Sequence, residues 1–96
     1  MKLWITHNLQ DTIGPIIALT KDQCINLARA NNEYPGDPWL DRKITGVQEV
    51  EIDSDYLFFI LMTRAELWQF NDTVHHLIAT KDPAVKFGEI IPLETA

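Results

Sequence analysis

The chain is poor in the residues that most often carry out chemistry. It has one cysteine, Cys24, among 96 residues, so no internal disulfide can form and nothing points to an oxidising compartment. Its one serine, Ser54, lies between Asp53 and Asp55, whose charge disfavours an activated alkoxide, and no G-x-S-x-G turn surrounds it. The four glycines are isolated, which excludes the glycine-rich loops that cradle phosphate. The eight lysines and arginines are scattered, with only Arg42 and Lys43 adjacent. Nucleic acid is gripped by clustered cations that displace phosphate counterions, so direct binding to DNA or RNA is not expected. The longest apolar run, Tyr56 to Met62, is far short of the roughly 20 residues that cross a bilayer. The apolar start Met1 to His7 is too short for a secretory leader. The expectation is a soluble cytoplasmic protein without cofactor or membrane partner.

What is present describes one folded unit. Hydrophobic residues make up 46% and charged residues 23%, ordinary globular values that argue against disorder. The length suits one domain over residues 1–96 with one core. The net charge of −6 and pI near 4.8 keep a small protein soluble. They also suit contact with a basic surface, including that of a nucleic-acid-binding protein.

Periodicity and capping outline the elements. Met1 to His7 reads as a strand, with Leu3 and Ile5 on one face and Trp4 on the other. Pro15 to Leu19 is its hairpin partner across a polar loop. Thr20 and Gln23 form a capping box for a helix with an apolar stripe of Cys24, Ile25, Leu27 and Ala28. That helix ends near Asn31 and Asn32. Residues 33–42 hold Pro35, Gly36 and Pro38 and form a loop carrying Trp39. Lys43 to Ile52 is a strand in which Ile44, Val50 and Ile52 face one way and Thr45, Glu49 and Glu51 the other. Gly46 and Val47 interrupt this alternation, as a bulge would. Asp53 to Asp55 reads as a turn and Tyr56 to Met62 as a strand covered on both faces. Thr63 and Glu66 form a second capping box for a helix from Arg64 to about Ala79, with a strand over Val74 to Thr80 as the alternative. Lys86 to Leu93 is a last strand, placed at an edge by Pro92. The resulting β(β)αββαβ order is that of a ferredoxin-like α+β fold, an antiparallel sheet with two helices on one face.

No reactive constellation emerges. Adjacent His75 and His76 diverge by about 100° on a helix, and only Asp72 shares the face of His76, which leaves two metal ligands at most. Cys24 belongs to a core stripe and should be inert. Glu49, Glu51 and Asp53 form an outward row about 6–7 Å apart, which is a solvated face and not an acid–base pair. The expectation is therefore not an enzyme, and no metal site. Partner contacts are expected from Asp37, Trp39 and Asp41 in the loop and from Glu49, Glu51 and Asp53. Whether Trp39 anchors an interface or folds back over the sheet end stays open.

One resemblance can be drawn on layout. Thr6-His7, a polar loop, Ile13-Gly14, a short strand, a Thr-capped helix with Ala28 and Ala30, a Pro/Gly/Trp loop and Val47-Gln48-Glu49-Val50-Glu51-Ile52-Asp53 together resemble the arrangement of small phage and prophage proteins. The resemblance covers about the first half of the chain and carries no catalytic motif. It implies an acidic phage-type inhibitor, of the anti-CRISPR or anti-defence kind, that docks on a basic host protein. The alternative is a self-associating ferredoxin-like module, a homodimer through the Tyr56–Met62 strand, that binds a small regulatory ligand.

Overall fold

A computed structural model of the chain describes residues 1–7, 16–33, 43–63 and 70–95, with no side-chain description for Thr63 and Thr95. Its elements are β1 (Lys2–His7), β2 (Ile17–Ala18), α1 (Lys21–Glu33), β3 (Gly46–Ile52), α2 (Ser54–Thr63), α3 (Phe70–Ala79) and β4 (Val85–Pro92), closed by a 3-10 turn at Leu93–Thr95. The four strands form one antiparallel sheet in the order β2-β1-β3-β4. The fold is thus α+β, and its element order differs from the expected one at a single point. Tyr56–Met62, expected as a strand, lies inside α2.

The reason lies at Asp53. Its Oδ1 accepts from the backbone amides of Asp55 at 2.9 Å and Tyr56 at 3.3 Å, the bonds of a helix N-cap. Its carbonyl accepts the first helical bond, from the Leu57 amide, at 3.0 Å. The triplet Asp53-Ser54-Asp55 is therefore a helix start and not a hairpin turn. The run that follows contains only one β-branched residue, Ile60, so it tolerates a helix well. Thr63 is the last residue of this helix, and the expected capping box with Glu66 lies outside the described residues. Val74 to Ala79 is helical, which removes the strand alternative, while Arg64 to Gln69 lie outside the described residues.

The first helix starts as its sequence predicts. Thr20 Oγ1 accepts from the Gln23 amide at 3.2 Å, and Gln23 Oε1 accepts from the amide of Leu19 at 3.3 Å. Cys24, Ile25 and Ala28 are buried, while Leu27 is exposed, so the stripe is narrower than expected. At the far end, Asn32 does more than cap. Its Nδ2 donates to the Ile44 carbonyl at 2.9 Å and its Oδ1 accepts from the Ile44 amide at 2.8 Å. One side chain thus imitates a strand neighbour and ties the end of α1 to the approach of β3.

The helices do not share a face of the sheet. Register pairs Leu3 with Val50 and Ile5 with Gln48 on one side, and Trp4 with Glu49 and Thr6 with Val47 on the other. Leu3, Ile5, Val50, Ile52 and Val85 form one buried cluster with Leu57 of α2 and Val74, Leu77 and Ile78 of α3. Val47 and Ala18 form a second with Cys24 and Ile25 of α1, flanked by Trp4, Ile91 and Leu93. With one helix layer on each side, the expectation of two helices on one face is corrected. Val47 interrupts the polar side of β3 because α1 covers that end of it. No bulge in β3 is needed.

The irregularity lies instead in β4. Gln48 pairs with Ile90 and Val50 with Phe87, so Gly88 and Glu89 together oppose Glu49, as two residues against one. A Cβ at Gly88 would stand 3.1 Å from the Glu49 carbonyl oxygen. Gln48 Nε2 donates to the Gly88 carbonyl at 2.8 Å, satisfying a group the bulge turns away from the ladder. At Gly46 the approach is closer still, with a Cβ meeting the Ile91 carbonyl oxygen at 2.9 Å.

After α3 the amide of Lys81 donates to Ile78 and that of Asp82 to Leu77, a Schellman ending with Lys81 in the left-handed region at φ 51°. A side chain there costs about 1 kcal/mol that glycine avoids. Lys81→Gly should raise stability by roughly 0.5–1 kcal/mol in urea denaturation. A loss would show that the lysine side chain contributes more than its backbone strain costs.

Candidate functional site

The expected contact residues are not brought together as one surface. Asp37, Trp39 and Asp41 lie outside the described residues. Glu49 and Glu51 do share a face of β3, but strand register sets a cation on each side of Glu51. Lys2 of β1 and Lys86 of β4 both stand directly opposite Glu51, so charge alternates across three strands. Lys2 Nζ also comes within 4.0 Å of Glu49 Oε1. Both side chains of that pair are well exposed, so it adds little stability, but it offsets the row's charge. Asp53 is not in the row at all, since β3 ends at Ile52 and its carboxylate is occupied as the α2 cap. Lys2 and Lys86 offset much of the row's charge, while Glu89, in the bulge opposite Glu49, adds to it, so the row is a weaker lure for a basic surface than its sequence alone suggests.

The tryptophan that is described serves the core. Trp4 packs beside the α1 cluster, with the Lys21 ammonium 6.0 Å from its ring centroid, a cation–π distance. A shallow groove of about 430 Å³ runs past Met1, Glu51, Asp53, Ser54 and Lys86. Its polar groups largely engage one another. The Met1 nitrogen donates to Ser54 Oγ at 3.2 Å and to the Ile52 carbonyl at 2.8 Å, Asp53 caps α2, and Glu51 faces Lys86.

His75 is half-buried and His76 exposed on α3. Among the described residues, no group of three or more His, Cys, Asp or Glu side chains is gathered for a metal ion. Cys24 is fully buried, and burial pushes its thiol up from 9.0 to about 11. The native protein should not react with Ellman's reagent at pH 8, and the thiol should become titratable only on unfolding. The unfolded chain ionises this group near pH 9 while the folded chain keeps it neutral. That stability is therefore complete below pH 9 and is lost as pH rises toward 11, by roughly 2–3 kcal/mol. Urea melts of wild type and Cys24→Ala at pH 8 and pH 10.5 test this. The wild type should lose the larger share of its stability between the two.

One surface feature was not anticipated. Around α2, Leu57 is buried and Ile60 and Leu61 are half-buried toward the core. Phe58, Phe59 and Met62 point outward, 59%, 64% and 80% exposed. Helical spacing puts these three and Asp55 on one side. The signal was present as an uninterrupted apolar run, but only the helical period converts half of that run into surface.

The molecule is therefore an α+β domain with helices on both faces of a four-stranded antiparallel sheet. Among the described residues, no helix is long and apolar enough to cross a membrane. No family model, curated protein or solved structure matches the chain.

Proposed function

We propose that this chain is a non-enzymatic protein-binding domain that docks on another protein through the outer face of α2. The observation that carries the reading is the exposure of Phe58, Phe59 and Met62 side by side on one helix. Exposed aromatic and methionine side chains in a contiguous patch are the usual material of interface anchors. The partial offset of Glu49 and Glu51 by Lys2 and Lys86 makes the β3 row secondary. The resemblance in layout of the chain's first half to small phage proteins suits the narrower reading, an inhibitor that acts on a host protein inside the host cell.

The reading is tested by affinity capture from bacterial lysate with wild type and two paired variants. A defined host protein should co-purify with wild type and with Glu49→Lys/Glu51→Lys. It should be lost with Phe58→Asp/Met62→Asp, whose changes are at exposed positions and should leave the far-UV spectrum intact. Capture that survives the α2 changes and fails with the β3 changes would return the site to the acidic row. Failure of folded wild type to recover any partner would count against a binding function.

A further inference from the structure

The chemistry around α2 narrows what it can dock, an inference that rests on the binding role just proposed. The outer stripe of Phe58, Phe59 and Met62 presents roughly 400 Å² of apolar surface, judged from the usual areas of such side chains, within the size range of the largest patch on a typical monomer. Its border is acidic at one end. Asp55 lies in the stripe itself, Asp53 sits exposed at the helix start, and Asp82 accepts a hydrogen bond from the Tyr56 hydroxyl at 3.1 Å. No cation lies in Ser54 to Met62; the Met1 ammonium at Ser54 and Lys81 beside Asp82 offset part of the border charge, so Asp55, within the stripe, carries most of its acidic character.

Three kinds of occupant can be compared. A second copy would bring the same carboxylates and the same patch, about half of the roughly 800 Å² per partner that a stable dimer needs. An anionic bilayer is repelled by those carboxylates and by the net charge of −6. A basic amphipathic segment satisfies both parts of the site. We infer that the α2 face takes such a segment of its protein partner. Apolar side chains spaced three and four residues apart lie on Phe58, Phe59 and Met62, and lysines or arginines at one end face Asp55 and Asp82.

The test is an amide-resolved NMR titration of the full chain with two synthetic amphipathic peptides, one of Leu and Lys and one of Leu and Glu, with identical apolar faces. The Leu/Lys peptide should saturably shift the amides of α2. Its affinity should fall about tenfold or more in Met62→Asp and about threefold in Asp55→Asn, and should weaken with added salt. Equal binding of both peptides at α2 would overturn the basic partner and leave the docking face standing. Shifts centred on Glu49 and Glu51, or no saturable binding, would overturn both. A concentration-dependent dimer in sedimentation, abolished by Met62→Asp, would replace the segment with a second copy. Tighter binding to phosphatidylglycerol vesicles than to the Leu/Lys peptide would replace it with a membrane.

Discussion

Truncating Leu3 to alanine should lower the unfolding free energy by about 3–4 kcal/mol, the largest single effect expected on this fold. Leu3 has no exposed surface. It stands opposite Val50 in the ladder and shares its cluster with Leu57 of α2 and with Val74 and Leu77 of α3, so the missing atoms leave a cavity between the sheet and both helices. A sheet held from both sides cannot close onto such a gap by moving one layer. For a domain whose whole stability is about 5–15 kcal/mol, this is a large fraction. Urea denaturation measures it. Leu19→Ala is the control, since Leu19 is 71% exposed and its loss should change stability by no more than about 0.5 kcal/mol. A Leu3→Ala cost below about 1 kcal/mol would mean the α2–α3 layer is not packed as described.

Asn32→Ala should cost roughly 1–3 kcal/mol, more than a surface position on a helix end normally allows. The substitution removes two short hydrogen bonds at once and leaves both the amide and the carbonyl of Ile44 without that partner in a part-buried setting. Hydrogen exchange at Ile44 should accelerate well before exchange in β3, because the lost bonds lie at the join between α1 and the sheet. Asn32→Asp keeps the acceptor, so the Ile44 amide stays bonded, and sets a carboxylate against the Ile44 carbonyl. It should restore slow exchange at that amide without restoring full stability. Unchanged exchange at Ile44 in Asn32→Ala would show that the pair is dispensable.

Much of the architecture could be read from local pattern, and its failures share one cause. The β1–β2 hairpin, the Thr20 cap, the body of β3 and the edge position of β4 are all written within a few residues of one another. Tyr56–Met62 was not readable in that way, because an apolar run without a period fits a buried strand and a buried helix alike. The difference rests on whether Asp53 bends a turn or caps a helix, and its side chain can do either. The site was harder still. Glu49 and Glu51 could be seen as an outward row, but Lys2 and Lys86, which offset part of its charge, are dozens of residues away and meet it only through strand register. The same holds for Val47, whose apolar side chain looked like an irregularity until α1 was placed over it.

The bulge in β4 also governs how the molecule behaves in a crowded solution. Among the described residues β4 is the longest strand and lies at an edge of the sheet, the kind of edge on which a foreign strand can grow. An intruder arriving at Val85 meets the Lys86 ammonium, then loses register at Gly88–Glu89, and at Pro92 finds a residue with no amide proton to give. With the exposed rings of Phe87 and Ile90's apolar side chain on either side of that break, an unbroken β4 would be an adhesive ribbon. The extra residue cuts it into two pieces, each too short to seed a fibre.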